Sequence, residues 1–263
     1  MKITPYLVAL SVSITLSNLR AQTPASTPSP SPAASAPPAA PAVTLPHQPP
    51  DVPAVKLGKD GQPVPGFLQR HQLLVDTAKK GNIDLYFLGD SITQGWLKVP
   101  ALWEKAFGPW KPGNFGIGGD RTQHVLWRLE NGELADLKPK VVVLMIGTNN
   151  SGADKPEDTA RGVTKIVSTL REKLPQTKIL LLAIFPRGQD ANNAQRKTND
   201  QVNAIISKLA DDKHVFYLDI GPKFLQPDGT LSKDIMPDLL HPNAKGYEIW
   251  VDSMNPKLTE LMQ

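Results

Sequence analysis

The amino-acid sequence predicts an α/β protein, a three-layer α/β/α sandwich built on a parallel β-sheet. From residue 66 onward, short apolar runs alternate with stretches whose apolar residues have helical spacing. Several of the apolar runs are unbroken, as expected for parallel strands that helices cover on both faces. In such a sheet, ligands bind beyond the carboxyl ends of the strands. The residues just after each strand are therefore the first candidates for a functional site.

The predicted elements alternate along the chain. A helix is predicted first, over residues 67–79. Strands are predicted over residues 83–88, 114–117, 141–146, 178–184 and 215–220. Further helices are predicted over residues 100–107, 121–129, 156–174, 194–210 and 243–261. This alternation is typical of crossover connections between parallel strands.

The first 65 residues differ in composition from the rest and predict two segments ahead of the folded domain. Residues 1–21 carry Lys2, a mostly apolar run over residues 6–16 and a small residue at Ala21, the order of a secretory signal peptide. That run is well short of the ~20 apolar residues that span a bilayer. Residues 22–65 are rich in Pro, Ala and Ser, which predicts a disordered tether. We therefore expect an exported protein, periplasmic or extracellular, with a folded domain over residues 66–263.

The composition excludes several kinds of chemistry. The chain has no cysteine, which excludes thiol nucleophiles, cysteine-bound metals and disulfides. No group of histidines and carboxylates has the spacing of metal ligands, so we expect no metal. The net charge is +4, and two of the positive charges, Lys2 and Arg20, lie in the predicted leader. Because the other cations do not cluster with aromatic residues, the pI of about 9.1 is poor evidence for nucleic-acid binding.

Ser91 follows the first predicted strand, in the stretch FLGDSITQGW. A serine that leaves a strand through a Gly-Asp turn has its hydroxyl at the mouth of the sheet, where backbone N–H groups face the same space. The alternative is a helix cap formed by Asp90 and Ser91. The stretch is neither a G-x-S-x-G elbow nor a lysine-containing phosphate loop.

Two further stretches place hydrogen-bond donors at the same edge. NFGIGGDRT has glycines at 116, 118 and 119, which permit a backbone N–H to point at an anion, although glycine-rich loops also arise as simple turns. MIGTNN places Asn149 after the strand over residues 141–146. An Asn there can donate to a developing oxyanion or bond locally in a turn.

The stretch MPDLLHPN supplies a base and a carboxylate for a serine nucleophile. Asp238 and His241 lie three residues apart before the last predicted helix, so the carboxylate can accept from one ring nitrogen while the other faces Ser91. His124, in the turn after the glycine-rich loop, is the rival base. The remaining histidines are expected away from the site. His47 lies in the predicted tether, His71 on the first predicted helix and His214 in a loop before a strand.

Tryptophans and two arginines leave their roles open. The tryptophans either line a sugar-binding platform or belong to the core, and the core is the commoner position for tryptophan near helices. The residues in question are Trp96, Trp103, Trp110 and Trp127. Arg121 and Arg187 follow apolar runs, where they either contact a substrate or lie on the solvated surface; the surface is the default expectation.

Taken together, the four stretches resemble the blocks of the SGNH, or GDSL, hydrolase superfamily. The resemblance covers about residues 68–262. Within it, NFGIGGDRTQHVLWRLENGEL followed by KPKVVVLMIGTNN is similar to the branch that contains the catalytic subunits of platelet-activating-factor acetylhydrolase.

The resemblance implies a flavodoxin-like fold, a role for each site residue and no cofactor. It implies Ser91 as nucleophile, Asp238 and His241 as the other members of a catalytic triad, and Gly119, Asn149 and the Ser91 N–H as oxyanion donors. We therefore expect a serine esterase whose partner is a small-molecule or glycan ester. Nucleic acid and stable membrane insertion are not expected, and a homodimer stays open.

Two departures bear on the substrate. The chain has a predicted leader and tether, and Pro242-Asn243 after the histidine resembles bacterial carbohydrate esterases more than intracellular phospholipid enzymes. These features favour short-chain, acetyl esters on carbohydrate. The alternatives are a lysophospholipase or thioesterase that acts on lipid acyl groups, and a non-catalytic carbohydrate-binding module on the same fold.

Overall fold

The computed structural model describes residues 45–135 and 137–263. Five strands are described: β1 Leu85–Gly89, β2 Pro112–Gly116, β3 Val141–Met145, β4 Lys178–Leu182 and β5 Val215–Leu218. They form one parallel sheet in the order β2-β1-β3-β4-β5. The helices are α1 Pro65–Lys79, α2 Ser91–Gln94, α3 Pro100–Phe107, α4 Thr122–Glu130, α5 Pro156–Lys173, α6 Ala194–Ile206 and α7 Ala244–Met262. The predicted α/β fold class is confirmed.

Two hydrophobic cores lie on the two faces of the sheet. Side chains alternate between the faces along each strand. Tyr86 and Leu88 therefore belong to the core that includes residues of α1, α4, α5 and α6, whereas Phe87 belongs to the core that includes residues of α3 and α7. β1 is almost fully buried because it has a strand on each side and helices above and below. The carboxyl ends of β1, β2 and β3 align, with Gly89 opposite both Gly116 and Met145.

The observed elements differ from the predicted ones mainly at their ends. The helix predicted over residues 194–210 ends at Ile206 and continues as a 3₁₀ turn, Ser207–Leu209. The short helix α2 and the 3₁₀ turn Gly95–Lys98 after it were not predicted. Four residues are too few to show helical periodicity, and this segment forms because Asp90 caps it and Trp96 is buried.

The amino-terminal boundary of the folded part also differs from the prediction. Residues 45–64, assigned to the tether by composition, pack on α4. The hydroxyl of Thr122 donates to the carbonyl oxygen of Pro50 at 2.8 Å, and the N–H of Ala54 donates to the carbonyl oxygen of Gln123 at 3.1 Å. Proline lacks an N–H but keeps a carbonyl acceptor, so a proline-rich segment can still satisfy buried polar groups on a helix.

The predicted leader and the rest of the predicted tether, residues 1–44, lie outside the described residues. Within residues 45–135 and 137–263, no helix combines the length and the apolar character that crossing a bilayer requires.

Candidate active site

Ser91 is the first residue of α2, immediately beyond the carboxyl end of β1. Asp90 is the N-cap of this helix, and its carboxylate accepts a hydrogen bond from the N–H of Ile92 at 2.9 Å. The hydroxyl of Tyr247 on α7 donates to the carbonyl oxygen of Ile92 at 2.7 Å and fixes the turn from the other side. Capping is therefore done by Asp90, and the hydroxyl of Ser91 is left for another partner.

That partner is His241. Ser91 Oγ lies 2.9 Å from His241 Nε2, and His241 Nδ1 lies 2.6 Å from Asp238 Oδ2. The other oxygen of Asp238 accepts from the backbone N–H of His241 at 2.7 Å, so one carboxylate holds both the ring and the main chain of the histidine. Burial opposes the ionisation of Asp238, but these bonds outweigh it and lower the pKa of that carboxyl. The structure thus brings Ser91 into line with a histidine and an aspartate about 150 residues further along the chain.

The glycine-rich loop lies beside Ser91. A Cβ placed on Gly118 would lie 3.9 Å from Cβ of Ser91, and Gly119 has a φ of +72°, the left-handed region that favours glycine. A Cβ on Gly116 would clash with the backbone nitrogen of Gln94, so the close approach of β2 to α2 requires glycine. The N–H groups of Ser91 and Gly119 have no acceptor within the described part of the chain. Two donors are thus available next to the hydroxyl.

Asn149, after β3, lies at the same edge. Its side-chain nitrogen donates to the carbonyl oxygen of Asp120 at 2.8 Å and lies 3.3 Å from Asp90 Oδ2. The structure therefore connects Asn149 to both the turn that carries Ser91 and the glycine-rich loop.

Asp90 is almost completely buried beside Ser91. Desolvation raises the pKa of its carboxyl to about 7, against the hydrogen bond from Ile92, which lowers it. The nearby carboxylate of Asp120 raises this pKa further, and His241 and Lys56 lower it.

A fully buried arginine, Arg128 on α4, connects the ends of the strands behind the site. It forms ion pairs with Glu133 and, at 2.9 Å, with Asp120. It also donates to the carbonyl oxygens of Gly89 at 3.2 Å and Phe115 at 3.1 Å. One side chain thus ties the end of β1, the end of β2 and the residue after Gly119. The sequence analysis did not identify it; the available signal was a charged residue among the apolar residues of α4.

Lys56 reaches the glycine-rich loop from the amino-terminal segment. Its ammonium donates to the carbonyl oxygen of Gly118 at 2.8 Å and lies 2.6 Å from the carboxylate of Asp120. Its side chain is 14% exposed, and that of Asp120 is buried. No local sequence signal indicated this contact, because Lys56 lies in a segment that composition assigned to the tether.

The other histidines occupy different environments. His124 is buried, and its Nδ1 accepts from the backbone N–H of Arg121 at 3.1 Å. Burial, followed by the cations Lys56, Arg121 and Arg128, lowers the pKa of His124 to about 3. The remaining histidines each have a carboxylate neighbour away from Ser91: His47 with Asp154, His71 with Glu133, and His214 with Asp211.

The four tryptophans whose roles the sequence left open lie within or against the two cores. Trp96 is 1% exposed and packs among Trp103, Tyr247 and other rings, so it is not part of a sugar platform. Trp103, Trp110 and Trp127 are half-buried against the two cores.

The default expectation of a solvated surface position is wrong for Arg187, which is half-buried. Its Nη1 donates to the carbonyl oxygen of Thr148 at 2.9 Å. Burial lowers the pKa of Arg187, and Asp90 and Asp238 oppose this shift.

Within residues 45–135 and 137–263, no group of three or more His, Cys, Asp or Glu residues has a metal-binding arrangement.

A cavity of about 350 Å³ adjoins the glycine-rich loop at Gly119. A larger one, of about 650 Å³, lies near Pro139 and Thr177, which precede β3 and β4 and so mark the opposite edge of the sheet.

A hydroxyl, an imidazole and a carboxylate in line at the carboxyl edge of a parallel sheet are the groups that acyl transfer from an ester requires, and this protein is a carboxylic ester hydrolase. The chain belongs to the GDSL-like lipase/acylhydrolase family, whose model matches residues 87–249.

Among its relatives is platelet-activating factor acetylhydrolase IB subunit alpha1 of Homo sapiens. The two are 41% identical over 182 residues, which cover 69% of this chain and 78% of the relative. Subunit alpha2 of Rattus norvegicus is 37% identical over 201 residues, covering 75% and 85%.

Solved structures share the fold at lower identity. A GDSL-like lipase from Bacteroides thetaiotaomicron is 18% identical, with a TM-score of 0.58 over 74% of this chain and 97% of its own. An acetylxylan esterase from Geobacillus stearothermophilus is 20% identical, with a TM-score of 0.53 over 67% and 93%.

Proposed function

We propose that this protein is a serine esterase that removes short acyl groups, acetyl above all, from carbohydrate by way of an acyl-enzyme. The observation that carries the proposal is the hydrogen-bonded line from Ser91 Oγ through His241 to Asp238. A serine hydroxyl is a weak nucleophile until a base takes its proton, and a base works best when a third group fixes its ring. Ser91, His241 and Asp238 have the positions for these three roles.

The first half of the reaction forms the acyl-enzyme. Ser91 Oγ bonds to the carbonyl carbon while its proton passes to His241 Nε2. Asp238 stays ionised and stabilises the imidazolium, consistent with the lowered pKa of its carboxyl. The tetrahedral intermediate then breaks its bond to the alcohol oxygen, which takes the proton from His241 as it leaves.

The second half repeats the same steps with water. Water gives a proton to His241 and its oxygen bonds to the acyl carbon. The bond to Ser91 Oγ breaks, the serine recovers its proton, and the carboxylic acid leaves. No metal or cofactor is needed for either half.

The negative oxygen of each intermediate needs donors, and we assign this role to the N–H groups of Ser91 and Gly119 and to the side chain of Asn149. The two backbone donors have no other acceptor in the part of the chain that the structure describes. Donors that are already in place favour the intermediate over the neutral ester, because no reorganisation is needed when the charge develops.

Different observations support the two parts of the substrate. The relatives at about 40% identity are named acetylhydrolases, which supports an acetyl group. The predicted leader and the proline-rich segment support an exported enzyme and hence an extracellular, carbohydrate alcohol. The same relatives are named for a platelet-activating factor, which favours a lipid alcohol as the second candidate.

Release of the carboxylic acid from a panel of esters, followed by mass spectrometry, tests this proposal. The panel pairs acetyl with octanoyl esters of one alcohol, and acetylated oligosaccharides with acetylated glycerolipids. We expect acetyl to be released faster than octanoyl and the oligosaccharides to be preferred. Faster release of octanoate would assign the protein to lipid acyl hydrolysis. Preference for the acetylated glycerolipid would replace the carbohydrate with the second candidate.

A further inference from the structure

A cavity beside the glycine-rich loop has two walls from distant parts of the chain. One wall is formed by residues 45–48 and 56–57, and the other by Gly119, Arg121 and His124. Its volume is about 350 Å³, within the range of small-molecule sites. Gly119, a proposed oxyanion donor, is one of the lining residues, so the cavity adjoins the proposed catalytic site. An acetyl group has only two carbons, so a space of this size suits the alcohol part of the ester.

The charges that face this cavity are unbalanced. The ammonium of Lys56 already contacts the Gly118 carbonyl oxygen and Asp120, whose carboxylate is buried. His47 lies 2.9 Å from Asp154, whose side chain is also buried. With its pKa lowered to about 3, His124 is neutral at neutral pH. No carboxylate lines the cavity.

Arg121 lines the cavity with a guanidinium whose N–H groups are available to a ligand. It lies two residues after Gly119 and is half-buried at the start of α4. Within the described residues, its guanidinium forms neither an ion pair nor a side-chain hydrogen bond. A planar guanidinium presents paired N–H donors that match the two oxygens of a carboxylate or phosphate.

We propose that this cavity binds the alcohol part of the substrate and that Arg121 selects an alcohol that carries an anionic oxygen group, a carboxylate or a phosphate. On a carbohydrate, this chemistry is that of an acetylated uronic acid or an acetylated sugar phosphate. The inference rests on the proposed esterase function and adds the substrate class.

Matched esters separate the effect of the anionic group from that of the sugar and the acetyl group. A methyl galactoside and a methyl galacturonoside, both acetylated at the same hydroxyl, differ only at carbon 6, where the second has a carboxylate. An acetylated methyl galactoside 6-phosphate distinguishes phosphate from carboxylate. For each, kcat/KM is measured with the full chain, with Arg121→Gln and with Lys165→Gln. Lys165 is exposed on α5. Lys165→Gln therefore removes one positive charge, as Arg121→Gln does, but away from the cavity.

In Arg121→Gln we expect kcat/KM for at least one anionic ester to fall roughly tenfold or more, as for the loss of a charge-assisted hydrogen bond, with the neutral ester unchanged. Lys165→Gln should leave all three values unchanged. The anionic ester that loses rate identifies the group. Equal changes for all three esters in Arg121→Gln, or no change, would overturn the subsite.

A binding measurement keeps this result separate from the proposed reaction. In the Ser91→Ala protein, NMR titration with the acetylated galacturonoside and with the 6-phosphate reports binding without turnover. We expect at least one to bind, and the added substitution Arg121→Gln to weaken that binding. If the natural chain hydrolyses none of the esters but this binding is present, the esterase proposal fails and the anion site stands. If neither anionic ester binds, the anion site fails.

Discussion

The side-chain nitrogen of Asn149 lies 3.3 Å from the carboxylate of Asp90 and 2.8 Å from the carbonyl oxygen of Asp120. Both N–H groups of the Asn149 amide therefore have acceptors before any substrate binds. The contact with Asp120 is short and fixes the amide against the glycine-rich loop. The contact with Asp90 is longer, so we propose that the N–H in this contact is the one that a developing oxyanion takes. Such bonds often tighten only when the intermediate forms.

Asn149→Ala tests this role. We expect kcat for an acetyl ester to fall roughly a hundredfold to a thousandfold while KM changes little, because the lost donor acts on the intermediate rather than on the neutral ester. Steady-state kinetics provide the check. Asn192→Ala, at an exposed asparagine, is the matched control. A higher KM with an unchanged kcat would assign Asn149 to substrate binding.

Asp90→Asn should change how stability depends on pH. The pKa of Asp90 is about 7 in the folded protein against an ordinary value of 3.8. Between these values the folded state keeps a proton that the unfolded state has lost, so this group makes stability fall as pH rises from about 4 to 7. As pH rises over that window, the stability of Asp90→Asn relative to the natural chain should increase, by up to about 1.4 kcal/mol per pH unit. Urea unfolding at several pH values measures this difference, and a constant difference would contradict the buried, protonated carboxyl.

His124→Gln should produce the opposite trend. The pKa of His124 is about 3 in the folded protein against 6.5 ordinarily. As pH falls from about 6.5 to 3, the unfolded state takes up a proton that the folded state cannot, so the natural chain loses stability from this group. The variant should therefore gain on the natural chain as pH falls, in the same unfolding experiment. It should also keep its esterase activity, whereas loss of activity comparable to that of His241→Gln would restore His124 as a candidate base.

Lys56→Met should slow turnover although Lys56 contacts no reacting atom. Its ammonium holds the Gly118 carbonyl oxygen and Asp120, on either side of the Gly119 N–H. We expect kcat to fall about tenfold, the size of one charge-assisted hydrogen bond. Lys56→Arg should recover much of the loss, and Lys59→Met, at an exposed lysine of the same segment, should have no effect. A loss of stability with unchanged kcat would make the contact purely structural.

Local sequence patterns predicted much of the fold. Unbroken apolar runs predicted several of the strands, such as β1 and β3, since a strand covered on both faces leaves no polar position. The same local logic singled out Ser91, Asn149 and His241, because each follows a strand or precedes a helix at the edge of the sheet where ligands bind.

The contacts that hold the site in place could not be predicted in this way. Lys56 meets Gly118 across 62 residues, and Arg128 meets the end of β1 across 39. Such contacts depend on how helices pack on the sheet, which no local pattern reports. The packing of residues 45–64 was missed because their composition says nothing of the buried polar groups of α4 that their carbonyl oxygens satisfy.

Covalent labelling of Ser91 tests the central claim most directly. The full chain is treated with diethyl p-nitrophenyl phosphate, which forms a stable phosphoryl ester with an activated serine, and the modified residue is located by peptide mass spectrometry. We expect one phosphoryl group on Ser91, loss of esterase activity in proportion, and neither labelling nor activity in a folded Ser91→Ala protein. A label on a different residue, or full activity in Ser91→Ala, would contradict the proposal that this serine is the nucleophile.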